Sequence, residues 1–438
     1  MPWPDGANGG EQTYRQLTSI TMEMEYSKAL AAVASAVAGA AKRATATVAV
    51  MLAAVSPALC GQQESLQQMI SRSLAVAERQ CIALGRTAEV KDSVLPRTFT
   101  GRRVRMAGYK SWICGFYPGT LWLLYGYSGN DTLRALAEKF TARVEPAKRL
   151  KNTHDLGFML YCSFGNGYRL TGNRHYLDVM AEGARNLAGR FNERVGAIQS
   201  WGTSRKWQFP VIIDNMMNLE FLEFMAKETG NLRYDTLARR HANTTMANHF
   251  RRDYSSYHVV SYDTLTGKPH AKHTHQGYAD ESAWARGQAW ALYGFTMMYR
   301  ETGVRAYLNH ARRVAAYITG VADMPADKVP YWDFDAPGRP DTYRDASAAA
   351  IMASAFIELS TLDKSADSSR WLDYGVAQLR SLSSPRYMAE PGRNGCFVLM
   401  HSVGNMNKRS EVDAPLSYAD YYFVEALLRL KKVIDGQG

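Results

Sequence analysis

Residues 214–232 read DNMMNLEFLEFMAKETGNL. The run Val211-Ile212-Ile213 leads into Asp214, and Met216, Met217, Leu219, Phe221, Leu222, Phe224 and Met225 then put apolar side chains on nearly every side of one helix. A helix apolar all round is buried rather than half-solvated. Glu228-Thr229-Gly230-Asn231-Leu232 ends it, because glycine enters the left-handed conformation of a helix C-terminus without steric penalty.

The same punctuation recurs at Tyr127-Ser128-Gly129-Asn130-Asp131, Leu170-Thr171-Gly172-Asn173-Arg174 and Glu301-Thr302-Gly303-Val304-Arg305. Helices that follow the turn differ from those before it. Between Arg174 and Arg190, the apolar residues Tyr176, Leu177, Met180, Ala184 and Leu187 fall on one stripe, the pattern of an outer helix with one wet face. Buried-type helices are expected from about Gly115, Asp155, Asp214, Trp284, Asp345 and Ala419. Six repeats of inner helix, tight turn and outer helix predict an all-α fold, a closed (α/α)6 barrel, rather than an open solenoid. The longest interval, before Gly303, holds an insertion at His258 to Gln276 with a β-like run, Tyr257-His258-Val259-Val260-Ser261-Tyr262, and a turn at Gly267. Such short β-like insertions belong to the rim of a barrel, where sites are carried.

Residues 61–438 are read as this single barrel and residues 1–60 as an extension. There Lys42-Arg43 precedes a mostly apolar stretch from Ala44 to Leu59, the pattern of a secretion signal. The expected location is periplasmic, or lipid-anchored through Cys60. No later stretch has the ~18 apolar residues of a membrane span. The five cysteines, Cys60, Cys81, Cys114, Cys162 and Cys396, include no CxxC pair and suggest no disulfide framework. A net charge of +11 suits acidic partners. Its basic residues are dispersed, with only short groups such as Arg102-Arg103 and Arg251-Arg252, so nucleic acid is not expected as a partner. An aromatic share of 11% fits either sugar-stacking clefts or a large core.

Several inner helices begin with an acid: Asp155 after His154, Asp214 after its apolar run, Asp345 after Arg344, and Asp420 before Tyr421-Tyr422. If these helices start at one rim, the carboxyls converge there. Capping is the competing reading, since aspartate oxygens accept the free N–H groups of a helix start. Asp214 stands apart, because apolar surroundings and a nearby Asp155 would both raise its pKa, as a general acid at neutral pH requires. Gln276 to Trp290 is the densest constellation. Arg286 offers a fork for a carboxylate, and Trp284 and Trp290 offer stacking faces. Pairing of Arg286 with Asp280 or Glu281, and tryptophans used as core, fit the spacing equally well. His273-x-His275 has a metal-ligand spacing with no acid or cysteine to complete it, so no metal and no cofactor are expected. GxxxxGK[ST], HExxH and GxSxG patterns are lacking.

In this order, Gly115-Phe116-Tyr117-Pro118-Gly119, His154-Asp155-Leu156-Gly157-Phe158, Ile213-Asp214-Asn215-Met216-Met217-Asn218-Leu219, Gln276 to Trp290, Arg344-Asp345-Ala346-Ser347-Ala348 and Asp420-Tyr421-Tyr422 resemble the unsaturated glucuronyl hydrolases of glycoside hydrolase family 88. The likeness spans about Trp112 to Leu430 and implies an (α/α)6 barrel. It implies a substrate with a 4,5-unsaturated uronic acid at its non-reducing end, left by a polysaccharide lyase, and hydration of the C4=C5 bond. The implied acid and base is Asp214, with Asp155 as the second catalytic aspartate. His154, His258, Gln276, Trp284, Arg286, Trp290 and Trp112 are the implied substrate contacts. Unsaturated oligosaccharides from glycosaminoglycans are the expected partners. Competing readings are an unsaturated rhamnogalacturonyl hydrolase of the same fold, an inverting glycosidase using Asp155 and Asp214 on saturated sugars, and a non-catalytic glycan-binding lipoprotein anchored at Cys60.

Overall fold

The four glycines of the repeated punctuation all turn left-handed, with φ of 68° at Gly129, 67° at Gly172, 70° at Gly230 and 68° at Gly303. In three copies the next residue caps the new helix. Asn130, Asn173 and Asn231 each accept the N–H two residues on, from Thr132, His175 and Arg233, at 2.9, 3.0 and 3.1 Å. Val304 replaces asparagine in the fourth copy, and no side chain caps that helix. A hydroxyl just before each glycine back-bonds one turn upstream, as Thr229 does to the Met225 carbonyl. These four hairpin turns are thus held by bonds between residues that are neighbours in sequence.

The computed structural model describes residues 64–89 and 92–437. The extension, the secretion signal and the Cys60 anchor read from residues 1–60 lie outside the described residues. Six inner and six outer helices are found among the described residues. In chain order they are α1 (Leu66–Ala88), α2 (Phe116–Ser128), α3 (Asp131–Val144), α4 (π-helical Gly157–Gly165 continued by Asn166–Thr171), α5 (Arg174–Ala188), α6 (3-10 Ile213–Asn218 continued by Leu219–Thr229), α7 (Leu232–Asn248), α8 (Ala285–Thr302), α9 (Arg305–Gly320), α10 (Ala346–Leu362), α11 (Ser368–Leu382) and α12 (Ser417–Ile434). From α2 onward the even-numbered helices are inner, and each packs on the next around a ring that α12 closes against α2. The odd-numbered helices form the outer layer, where α1 covers α12 and α2. This is the (α/α)6 barrel that the repeats predict.

The inner helices are dry. In α8 every residue from Ala285 to Met298 is buried. The outer α5 buries Tyr176, Leu177, Met180, Ala184 and Leu187 on one face and leaves the other to water. Inner helices approach closely where glycine permits. A Cβ added at Gly115 would lie 2.2 Å from the backbone oxygens of both Phe158 and Met159.

Short strands decorate the rim. Pro210–Ile212, Val259–Tyr262 and Pro269–His273 make an antiparallel sheet, with Gly267 (φ 75°) in the turn. The expected β-like run is therefore a strand over its last four residues. Hairpins at Val94–Thr100 with Arg103–Gly108, and at Ser402–Asn405 with Ser410–Ala414, were not marked by the repeat pattern. No helix of the described residues is long and apolar enough to cross a membrane.

Asn231→Ala should lower the unfolding free energy by about 1 kcal/mol, the usual loss for a helix cap. Gly115→Ala should cost more, about 3 kcal/mol, because the clashing atoms are backbone and cannot rotate away. Urea unfolding of the two variants measures both.

Candidate active site

Asp155 and Asp214 stand where two neighbouring inner helices, α4 and α6, begin, and both beginnings are irregular. The first turns of α4 are π-helical and those of α6 are 3-10; π-helical turns recur at functional sites. Asn218 joins the two helices, its Oδ1 accepting the Phe158 N–H at 3.0 Å. Gly157 makes room for it, since a Cβ there would lie 2.7 Å from Asn218 Oδ1.

Asp214 is 8% exposed, and its Oδ2 has no hydrogen-bond partner. Burial pushes its pKa up to about 7; the Arg286 guanidinium pulls the other way, and Asp155 adds to the rise. Asp155 is more open. It takes a 2.8 Å bond from the Thr153 hydroxyl, and its Oδ1 lies 3.2 Å from His154 Nε2. His154 is itself buried, which lowers its pKa against the pull of Asp155.

The rim sheet delivers His258. Ile212 pairs with Val259, and the Ile213 N–H bonds the His258 carbonyl at 3.0 Å, so the histidine comes down beside Asp214. The N–H groups of His275 and Gln276 both donate to its Nδ1 at 3.1 Å. That leaves the ring proton on Nε2, which sits 3.7 Å from Asp214 Oδ2. Burial holds His258 well below the usual imidazole range, so the ring is neutral. Trp290 offers a second N–H. Its indole nitrogen has no hydrogen-bond acceptor, yet it lies close enough to ease the charge on Asp214.

Two expected contacts are placed differently from what residue type suggests. Trp290 presents no stacking face: it is wholly buried, packed 5.2 Å from Phe158. The Arg286 fork is already engaged. It reaches Asp345 at 2.8 Å, the Val403 carbonyl, and the Gly404 carbonyl at 2.6 Å, while the guanidinium lies between the rings of Trp284 and Tyr418. Its partner is Asp345 rather than Asp280 or Glu281, because the sidedness of α8 turns it inward to the start of α10. Gln276 also reaches the Gly404 carbonyl, at 3.1 Å. Trp284 lies 4.6 Å from the His258 ring. Trp112, half-buried, joins the group through Phe158 at 5.5 Å and Tyr418 at 4.9 Å.

The other two acids are used by the scaffold. Asp345 caps α10 through the N–H of Ser347 and of Ala348 and holds Arg286. Asp420 receives the N–H groups of Val398 and Leu399 at 2.9 and 2.8 Å, which ties the preceding loop to α12. Sequence reasoning passed over Trp201 and Trp207. Their rings are 5.3 Å apart and flank His275 at 5.1 and 5.8 Å, on the way out from His258. Their signal was two tryptophans in an otherwise polar loop. No cluster of metal-ligating side chains is present among the described residues.

A closed ring of six helical hairpins, with a protonatable carboxyl buried among polar and aromatic side chains where the inner helices begin, is the arrangement of an (α/α)6-barrel glycosidase. No family model matches the chain. It is 45% identical over 327 residues to the unsaturated glucuronyl hydrolase of Formosa agariphila, covering 74% of this chain and 81% of that relative. It is 34% identical to the unsaturated chondroitin disaccharide hydrolase of Streptococcus pneumoniae, covering 73% and 82%. The crystal structure of an unsaturated glucuronyl hydrolase specific for heparin superposes with a TM-score of 0.80 at 49% identity, over 83% of this chain and 98% of that one. The chain belongs to the unsaturated glucuronyl hydrolases, glycoside hydrolase family 88.

The geometry predicts how the two carboxyls influence each other. In Asp155→Asn, loss of the like charge should move the Asp214 midpoint below its value of about 7. Carbon-13 titration of aspartate carboxyl signals, assigned through Asp214→Asn, measures the shift.

Proposed function

We propose that this enzyme removes the 4,5-unsaturated uronic acid from the non-reducing end of lyase-generated glycosaminoglycan oligosaccharides, with Asp214 as acid and then base. The observation that carries the reading is the Asp214 carboxyl, raised to about 7 by burial and left with one oxygen free of partners. A general acid works best with its pKa near the working pH.

The sugar's C4=C5 bond is a vinyl ether. Asp214 gives its proton to C4, and positive charge develops at C5, where the ring oxygen shares it. Asp214, now a carboxylate, takes a proton from water as that water bonds to C5. The resulting hemiketal opens the ring, and the shortened oligosaccharide leaves. One residue thus serves in two protonation states, and its surroundings suit both. Burial favours the protonated form before reaction. After the proton has gone, the N–H groups of His258 and Trp290, which have no other acceptor, are at hand for the new charge. Asp155 adds to the rise that burial gives Asp214. In this reading Trp284 and Gln276 shape the pocket, and Arg286 and Trp112 support its wall.

A net charge of +11 supports an acidic sugar as substrate, and relatives named for heparin and for chondroitin set the range of backbones to try. Incubation with unsaturated heparin and chondroitin disaccharides should consume the alkene absorbance in the ultraviolet. Asp214→Asn, which keeps shape but cannot cycle a proton, should slow this by about 10³-fold. Because Asp214 must start protonated, kcat/KM should fall as pH rises through about 7. Undiminished absorbance with every unsaturated disaccharide would overturn the proposal. Cleavage of a saturated glucuronide would point to an ordinary inverting glycosidase.

A further inference from the structure

On the outer wall of the barrel, between the end of α7 and the face of α9, lies a cavity of about 440 Å³. Arg251, Arg252 and Arg313 line it, with Phe250, Tyr254 and His310. No carboxylate does. Some arginines of the outer layer have acidic partners: Arg239 pairs with Asp235, Arg240 with Glu193 and Arg312 with Asp363. Arg252 and Arg313 have no such ion pair among the described residues. The one acid of the turn, Asp253, is occupied by the Ser255 N–H and hydroxyl at 3.0 and 2.8 Å.

The cavity is built, not merely charged. Arg251 is anchored by the carbonyls of Ser256 at 3.1 Å and Asp280 at 2.8 Å, and its guanidinium covers the Tyr257 ring at 3.9 Å. Arg313 stands over Tyr254 at 5.1 Å. His310 is 6% exposed and packed 4.3 Å from the rings of both Phe250 and Phe295. Its Nε2 has no hydrogen-bond partner. Burial, and then Arg313, push its pKa down to about 4. Arg252 and Arg313 bring two like charges without ion-pair partners to an aromatic floor, a charge that an anion would offset, and guanidinium forks match sulfate and carboxylate geometry. Aromatic rings suit the apolar face of a sugar.

We infer that this cavity is a second glycan site, holding a sulfate- or carboxylate-bearing sugar of a longer acidic chain by Arg252 and Arg313 above Phe250, Tyr254 and His310. The site lies outside the catalytic mouth and needs no alkene, so its test is separate from that of the catalytic reading. The full chain is titrated by calorimetry with a saturated, size-defined heparin decasaccharide, which offers the active site no reactive bond. Arg252→Gln/Arg313→Gln should weaken binding by about tenfold or more, with kcat/KM on unsaturated disaccharides unchanged. In the unmodified protein, the decasaccharide should raise the His310 midpoint in an imidazole NMR titration, which keeps the test open if the double variant does not fold. Equal affinity in the double variant, or His310 signals unmoved by the decasaccharide, would overturn the inference. So would inorganic sulfate acting as strongly as the decasaccharide at equal concentration, since the site would then bind simple anions rather than glycan.

Discussion

The burial of one carboxyl governs this structure. Moving Asp214 from 3.8 to about 7 corresponds to roughly 4 kcal/mol of disfavoured charge. The sign is fixed: the folded chain holds that proton more tightly than the unfolded chain, so stability falls as pH rises from 3.8 to about 7. A scaffold that carries such a residue must be stable for other reasons. The dry inner ring supplies them, with α8 and α10 buried along most of their lengths. Asp214 does not carry such a cost alone, since burial also raises Asp420 to about 7 and Glu223 to about 8, and the stabilising contacts are spread over the whole barrel.

Position matters as much as burial. The Asn218 to Phe158 bond fixes α4 against α6, and so sets one aspartate relative to the other. A second chain of contacts reaches the same place from the opposite side. Asp345 holds Arg286, Arg286 and Gln276 share the Gly404 carbonyl, and the Gln276 N–H helps set the tautomer of His258. Residues far apart in sequence therefore converge on a single proton. The 402–414 hairpin, far from α4 in the chain, becomes part of the site's wall through the Val403 and Gly404 carbonyls and through Asn407, whose amide donates to the carbonyls of His275 and Gly277.

Much of this was legible in the residues. The Gly-Asn punctuation is a local signal, because a left-handed turn and a cap need only neighbouring atoms, and it marked four of the hairpins correctly. The apolar run ahead of Asp214 foretold its burial. What the sequence could not convey is direction. Arg286 carries a fork suited to a carboxylate, yet nothing in the spacing reveals that Asp345, 59 residues on, fills it. Trp290 looks like a stacking platform until the ring closes over it. Asp420 looks like a helix cap, but its oxygens serve the backbone of Val398 and Leu399. The 402–414 hairpin was illegible for a related reason: its strands are short and lack an alternating apolar pattern, so only tertiary contact defines them.

The ring is completed by the two ends of the described chain, since α1 lies against α12. Synthesis from the ribosome is vectorial, so α1 emerges early and waits through most of the barrel for the helix it covers. During that wait its apolar face, Met69, Ile70, Leu74 and Ala77, lacks part of its native cover. Five hairpins can form as they emerge, each sealed by its own turn or local packing. The last one is a long-range closure, which costs more loop entropy than any hairpin formed between neighbours in sequence. In this architecture the vulnerable moment of folding is the final helix, and a nascent chain stalled before Ser417 would be an open crescent rather than a barrel.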